Sequence, residues 1–309
     1  DESSKFHKDN RVGYFPSVSA GWNVHQEKWF QNPVMSKLKI RASYGELGAN
    51  FLNPYNFDAI AYGPIPYTVG GERYVTGRAA YLKSKDLKWE TAKTTDIGIE
   101  LGFFNNDLTL SLDYFVKKNV DLLAQIDLNL SSGQIFEINS SREKPYVNTA
   151  SVKNTGWEFM MNYRKQLTKD FHIDATFNIA TLKNKVLSLG ENVQPITSGA
   201  MSSYFNDAAS ITMPGEAIGS FYGYKIDGFD AEGNFIFADT DKNGVVNAND
   251  KVILGSPIPD FTYGLNINME YKDFDLTVFF QGVQGNDIFN QKKYTYYFDY
   301  SNNVVKEAM

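Results

Sequence analysis

The chain contains no cysteine and only three histidines among its 309 residues. Without cysteine it can form no disulfide framework, no thiolate metal site and no cysteine nucleophile. The histidines, His7, His25 and His172, are too far apart in the sequence for the paired-histidine motif of a zinc enzyme. These absences exclude thiol chemistry and leave little basis for a histidine-bound metal.

Long apolar runs and an excess of basic charge are also missing. No stretch approaches the roughly 18 apolar residues that a transmembrane helix needs, and no signal peptide opens the chain. Asp1 stands where an initiator methionine would, so we expect a mature or internal segment. The net charge is -6, without a stripe of Lys and Arg, so nucleic acid is not an expected partner. No nucleophile elbow or phosphate-binding loop occurs, and the chain is predicted not to be an enzyme.

What dominates the sequence is alternation of apolar and polar residues in a chain rich in aromatics, with 23 Phe and 19 Tyr. The alternating segments cover residues 38–44, 97–103, 108–114, 171–179, 265–271 and 276–280. A period of two places apolar side chains on one face of a strand and polar ones on the other. The second face carries charges such as Lys39, Arg41, Glu100, Asp113 and Glu270, which suit a water-filled interior.

The lengths of strands and connections favour a membrane barrel. The strands that contain these segments are predicted to extend over about 9–13 residues, and a tilted strand needs about 9–11 to cross a bilayer. Short turns are predicted at 104–106, 165–169 and 272–273, and long polar loops at roughly 49–88, 124–147, 187–215 and 285–309. The prediction is an all-β, antiparallel transmembrane β-barrel with long extracellular loops.

Aromatic residues near the strand ends predict girdles at the two membrane interfaces. They are Trp22, Tyr44, Trp89, Phe103, Phe104, Tyr114, Tyr163 and Tyr271. The alternative explanation is aromatic packing inside a large soluble β-sandwich. A surface β protein that binds carbohydrate therefore stays open as a second hypothesis.

Six stretches in chain order resemble one family. They are 10–22 (NRVGYFPSVSAGW), 38–45 (LKIRASYG), 86–91 (DLKWET), Asn148 with 154–158 (NTGWE), 219–224 (GSFYGY) and 255–264 (GSPIPDFTYG). Together they resemble the SusC/RagA family of TonB-dependent outer-membrane transporters. The resemblance covers about residues 10 to 290, and no single stretch is specific by itself.

The resemblance implies a barrel of 22 strands behind an N-terminal plug, in the outer membrane of a Gram-negative bacterium. Residues 1–309 would form part of this single barrel domain, its C-terminal half, without the plug, the first barrel half and the last strands. It implies uptake of oligosaccharides or peptides, with TonB acting through the absent plug and a SusD-like surface lipoprotein as partner. Membrane lipid and lipopolysaccharide would surround the wall. A barrel acting as a structural or assembly component of an envelope complex remains an alternative, since fold does not fix function.

One ligand motif stands out at residues 239–250, which read D-x-D-x-N-G-x5-D. The spacing of an EF-hand-like loop would place Asp239, Asp241, Asn243, the carbonyl of Val245 and Asp250 around one point, with Gly244 at the sharp turn. These hard oxygen ligands suit a structural Ca²⁺. Short strands, rather than helices, are predicted on both sides, and position twelve is Asp instead of Glu. The alternative is a polar turn without metal.

Overall fold

The structure is a computed structural model that describes residues 1–53, 61–79, 84–125, 146–190, 193–200 and 208–292. Within these ranges the chain forms β-strands and short 3-10 helices at Val24–Gln26 and Ala248–Asp250. No helix in the described part is both long and apolar enough to cross a bilayer. The strands are β1 (Ser17–Asn23), β2 (Met35–Ala49), β3 (Ala61–Val69), β4 (Glu72–Ala79), β5 (Glu90–Phe103), β6 (Leu108–Gln125), β7 (Tyr146–Thr168), β8 (Phe171–Thr181), β9 (Lys183–Ser188), β10 (Ile196–Ala200), β11 (Ala208–Thr212), β12 (Ser220–Tyr224), β13 (Ile226–Phe229), β14 (Phe235–Phe237), β15 (Lys251–Gly255), β16 (Phe261–Tyr271) and β17 (Phe274–Gln284).

One large antiparallel sheet forms the body of the chain. Its strands follow the order β1-β2-β5-β6-β7-β8-β16-β17, and β9 pairs with the first part of β7. Leu182 separates β8 from β9, and its amide donates to the carbonyl of Asp260 at the start of β16. β9 therefore continues the pairing along β7 beyond the point where β16 begins, at Phe261 opposite Thr181. All six alternating segments predicted from the sequence lie in this sheet.

Short turns join the strands at one rim of the sheet. Residues 104–107 connect β5 to β6, and Lys272-Asp273 connect β16 to β17, as predicted. Phe104, Asn105 and Asn106 adopt the left-handed conformation that closes the first of these turns. The turn predicted at 165–169 is displaced, because β7 continues to Thr168 and only Lys169-Asp170 connect it to β8.

The opposite rim carries the long connections. The predicted loop at 49–88 contains the hairpin β3–β4, and the loop at 187–215 contains β10 and β11. That loop also continues further than predicted, because β10, β11, β12 and β15 form a small sheet between β9 and β16. Most of the loop at 124–147, and residues 293–309, lie outside the described residues.

The register of the sheet separates an apolar face from a polar face. One continuous row crosses seven neighbouring strands and contains Trp22, Ile40, Ile99, Leu112, Phe159, Ile179 and Tyr263. Each of these side chains lies directly opposite the next, and their sequence neighbours point to the other side. The alternation predicted from the sequence therefore adds up to one apolar surface.

The apolar face is not covered by a second sheet of the described chain. Ile97, Leu276 and Phe280 on this face are each more than half exposed. The accessible surface of the chain is 21368 Å², whereas a compact protein of this mass would expose roughly 13,000 Å². A soluble sandwich would bury these side chains, so the structure favours contact with lipid.

Two aromatic pairs lie near the two ends of the apolar face. Tyr114 and Trp157 contact each other near the rim with the long connections, at 4.7 Å between ring centroids. Phe171 and Tyr271 pair in the same way near the short turns. Trp89 instead packs with Phe6, Leu52 and Leu87 in a buried cluster, where its indole nitrogen donates to Arg11. The prediction that Trp89 belongs to a girdle was wrong, because residues 1–13 fold back over it.

Candidate functional site

The polar face of β2, β5 and β6 is an ordered network of charges. Lys37 lies 2.6 Å from Glu100, and Arg41 lies 3.5 Å from the same carboxylate. Arg41 also donates to Asp113 at 2.6 Å, and the Ser111 hydroxyl donates to the other oxygen of Asp113. The network forms because these residues occupy polar-face positions on adjacent strands. Lys39, Arg41, Glu100 and Asp113 were predicted on this face.

A second group of polar contacts continues across β7 and β8. Arg164 lies 2.6 Å from Asp174, and the Asn162 amide donates to both Asp174 and Thr176. The sequence did not single out these residues, or Lys37, as members of a network. Cross-strand register is the signal that joins them, and one sequence does not specify it.

Gly98 makes the tightest part of the network possible. A Cβ added at Gly98 would overlap the Asp113 carboxylate oxygen and lie 2.8 Å from the Arg41 Nε. Because Asp113 is buried and held by Arg41 and Ser111, it cannot move aside without losing these bonds. Gly98 therefore leaves the space on β5 that the side chains of Asp113 and Arg41 occupy.

We expect Gly98→Ala to destabilise the folded protein by about 1–3 kcal/mol, as overpacking does. The matched control is Gly45→Ala on β2, where the nearest atom to an added Cβ is that of Ser17 at 3.5 Å. Urea unfolding in lipid vesicles measures both. Equal stabilities of the two variants would contradict the packing role of Gly98.

The predicted metal loop lies between β14 and β15, within the long connection from β9 to β16. The flanking strands were predicted at these positions and are confirmed. β15 pairs with β12, so the end of the loop is anchored in the small sheet. The start of the loop follows the β13–β14 hairpin, whose turn is fixed by hydrogen bonds from Glu232 and Asn234 to the Asp230 carboxylate. These bonds, led by that of the Asn234 side chain, lower the pKa of Asp230.

The loop brings three predicted ligands together. Oxygen atoms of Asp239, Asp241 and Asp250 all lie within 4.8 Å of one another. Asn243 is close as well, since its backbone amide donates to both Asp239 and Asp241 at 3.1 Å. Gly244, with φ of 86°, donates to Asp239 and reverses the chain as predicted. The Val245 carbonyl accepts from the Asn247 side chain.

Asp250 organises the end of the loop. Its buried carboxylate accepts from the amides of Thr240, Asp241 and Asn247, and Asn247 caps the short helix Ala248–Asp250 in return. The hydrogen bond from Asn247, followed by those from Asp241 and Thr240, lowers the pKa of Asp250 and so favours its ionised form. Hydrogen bonds alone thus already hold this carboxylate, and a metal would share its oxygens with backbone donors.

The charge balance of the loop is unusual. None of the three clustered carboxylates forms an ion pair with a Lys or Arg in the described part of the chain. Ionised carboxylates this close repel one another, and a cation between them relieves the repulsion. The donor set is entirely oxygen, which fits Ca²⁺ better than a softer metal.

The two-faced antiparallel sheet, with short turns at one rim and long connections at the other, defines the wall of an outer-membrane type of β-barrel. The chain belongs to the family described as "TonB dependent receptor-like, beta-barrel", which matches residues 1–307. Proteins of this family are outer-membrane proteins. The predicted fold class is confirmed.

Named relatives support the same family. TonB-dependent receptor P3 of Formosa agariphila is 35% identical over 308 residues, covering 94% of this chain and 30% of that receptor. TonB-dependent receptor SusC of Bacteroides thetaiotaomicron is 32% identical over 300 residues, covering 90% of this chain and 28% of SusC. The solved RagAB peptide transporter superposes with a TM-score of 0.74 at 22% identity, covering 95% of this chain and 32% of that chain, and so supports the fold. The resemblance to the SusC/RagA family is confirmed, and the chain spans about 30% of the length of these relatives.

Proposed function

We propose that this chain forms part of the pore wall of a TonB-dependent transporter that imports oligosaccharides or peptides with a SusD-like surface lipoprotein. The observation that carries the proposal is the continuous polar face behind an apolar face of membrane-spanning strands. The solved RagAB structure is titled a peptide transporter, which supports a peptide cargo, and SusC is named a TonB-dependent receptor, which supports the transporter class. The oligosaccharide alternative and the lipoprotein partner rest on the resemblance to the SusC/RagA family. They are receptors and transporters by name, which supports a role without catalysis.

The charges of the polar face indicate what kind of cargo could pass. Lys37 and Arg41 are paired with Glu100 and Asp113, and Arg164 is paired with Asp174. The wall therefore presents paired charges, amides and hydroxyls in place of a field of one sign. Such a surface offers hydrogen bonds to sugars and peptide groups without trapping one strongly charged ligand.

Uptake by living cells tests the proposal. In a strain lacking the gene that encodes this chain, we expect growth on oligomers too large for porins to be lost. Growth on the corresponding monosaccharides or amino acids should be unchanged. Disruption of TonB should reproduce the defect, because uptake depends on energy supplied through that protein. Restored growth after complementation is the control, and unaffected growth on every oligomer tested would overturn the proposal.

The same strain separates transport from a structural or assembly role. If the barrel holds an envelope complex together, its loss should make cells sensitive to detergent even when they grow on monomers. If it is a transporter, its loss should leave the envelope intact and reduce only growth on the large nutrients. Co-purification of a surface lipoprotein with the intact receptor would support the proposed partner.

We also propose that the loop at residues 239–250 binds Ca²⁺ through Asp239, Asp241, Asn243, the Val245 carbonyl and Asp250. The three clustered carboxylates, which have no cationic partner among the residues that the structure describes, support this over a metal-free polar turn. The ion would hold the connection between β14 and β15 in one conformation, and so fix part of the extracellular rim. It would have no catalytic role.

A further inference from the structure

A row of lysines crosses the outward surface of the wall above the apolar face. Lys93, Lys118, Lys153 and Lys185 lie on β5, β6, β7 and β9, and each is the direct cross-strand partner of the next. They point to the same side as the apolar row, because Lys118 stands four positions after Tyr114 and side chains an even number of positions apart share one face of a strand. We call this set the lysine row.

The lysine row forms few ion pairs with acidic residues. Lys93 lies 3.2 Å from Glu46, the next residue of the same row on β2. Lys118, Lys153 and Lys185 form no ion pair or hydrogen bond with any of the residues that the structure describes. Lys183, two residues before Lys185, extends the positive surface. Like charges placed directly opposite one another destabilise a sheet, and a bound anion would offset this repulsion.

The position of the row specifies the anion. Tyr114 and Trp157 mark the upper border of the apolar face, and the row lies four residues further, about 13 Å along the strands. Aromatic girdles lie at the level of lipid headgroups, and phosphates lie just beyond them. A cavity of about 570 Å³ lies at the break between β8 and β9, where Lys183, Tyr114 and Trp157 line it together with Asp260, while Lys118, Lys153 and Lys185 lie outside its lining.

We propose that Lys118, Lys153 and Lys185, with Lys183, bind the phosphates of an anionic lipid in the outer leaflet, whose chains lie on the apolar face below. The inference rests on the outer-membrane placement of the proposed transporter and goes beyond it by assigning a lipid site. It does not depend on which cargo is transported. Lysines near a membrane surface are attracted to anionic lipids, and the attraction grows with the number of lysines.

The test uses the intact receptor purified in detergent and placed in phosphatidylcholine nanodiscs. Lipid A with two phosphates and dephosphorylated lipid A are added separately, and retained lipid is counted by native mass spectrometry. We expect the wild type to retain the bisphosphorylated form preferentially. The variant Lys118→Gln/Lys153→Gln/Lys185→Gln should retain it at least about tenfold less.

The matched control removes three lysines of the extracellular side that lie outside the row, in Lys8→Gln/Lys85→Gln/Lys225→Gln. This control should retain lipid A like the wild type. In detergent without anionic lipid, the row variant should be as stable as the wild type or more so, since it has lost mutual repulsion. Equal retention of lipid A by all three proteins, or equal retention of its phosphorylated and dephosphorylated forms, would overturn the proposed lipid site.

A protein partner is the competing occupant of the row. If the row variant kept its lipid A but lost a co-purifying lipoprotein, the lipid assignment would be wrong. Failure of oligomer uptake is measured separately in cells, so the lipid site and the transport function can fail independently. Uptake that persists in the row variant together with lost lipid retention supports the lipid site.

Discussion

The variant Ile267→Arg is expected to lose about 2–4 kcal/mol of folding free energy in a bilayer, the range for a cation on the lipid face at the midplane. Ile267 lies on β16 midway between Tyr263 and Tyr271, which are spaced by about 27 Å along the strand at roughly 3.4 Å per residue. Its cross-strand neighbours are Ala175 and Val278. An arginine here would have to leave its charge in hydrocarbon or distort the surrounding bilayer.

The adjacent residue supplies the control for this prediction. Asn268 points to the polar face, where it is paired with Asp174 on β8 and accepts a hydrogen bond from Thr277. Asn268→Arg introduces the same charge one position further along, loses that hydrogen bond and gains an acidic neighbour. We expect a net change within about 1 kcal/mol, because one neutral hydrogen bond contributes about 0.5–1.5 kcal/mol.

Equilibrium unfolding in urea, from lipid vesicles into which the intact receptor has been refolded, measures both variants. Heat-modifiable mobility on gels reports whether each variant has folded. A larger loss for Asn268→Arg than for Ile267→Arg would mean that the two faces have been assigned the wrong way round. Similar losses for both would indicate that neither face contacts lipid.

The faces of the strands could be predicted because side-chain direction follows from a period of two. Leu108, Leu110 and Leu112 alternate with Thr109 and Ser111, and no tertiary information is needed to separate them. The turn at 272–273 could be predicted in the same way, since two polar residues interrupt two long alternating runs. Strand identity and direction therefore follow from local pattern.

Strand ends and partners could not be predicted in the same way. β7 reaches 23 residues because residues 146–163 pair with β6 on one side, and β8 and β9 pair with it on the other side as far as Thr168. The sequence of residues 146–168 alone does not predict a strand of that length. Trp89 looked like a girdle residue, yet its neighbours Phe6 and Leu52 come from distant segments. Contacts between residues far apart in sequence decide such positions.

The lysine row is another feature that depends on strand pairing and could not be predicted from local sequence. Each lysine is ordinary within its own strand, and the row exists only when Lys118 is placed opposite Lys153 and Lys153 opposite Lys185. By contrast, the loop at 239–250 was readable as a unit because all its candidate ligands lie within twelve consecutive residues. The structure brings Asp239, Asp241 and Asp250 together. Occupancy by a metal stays a prediction.

For this loop, we expect the variant Asp239→Asn/Asp241→Asn to bind Ca²⁺ about tenfold more weakly, or worse, since affinity falls with the ligand charge count. The two oxygens of Asp239 accept separately from Asn243 and Gly244, so asparagine there keeps one of these bonds, and the oxygen of asparagine at 241 can still accept from Asn243. The turn itself should therefore survive. Asp250 is left in place, because it holds several backbone amides and its loss would unfold the loop without reporting on metal.

Calorimetric titration of the chelator-treated receptor with Ca²⁺ measures the affinity, and limited proteolysis within 239–250 measures the order of the loop. At a Ca²⁺ concentration of 100 times Kd, binding adds about 2.7 kcal/mol to the stability of the bound conformation, so cleavage should slow by about a hundredfold. The control Asp227→Asn/Glu232→Gln removes two charges from the neighbouring β13–β14 hairpin and should leave both measurements unchanged. If cleavage of the wild-type loop is equally fast with and without Ca²⁺, the cluster is a hydrogen-bonded turn whose carboxylates are satisfied by backbone amides alone.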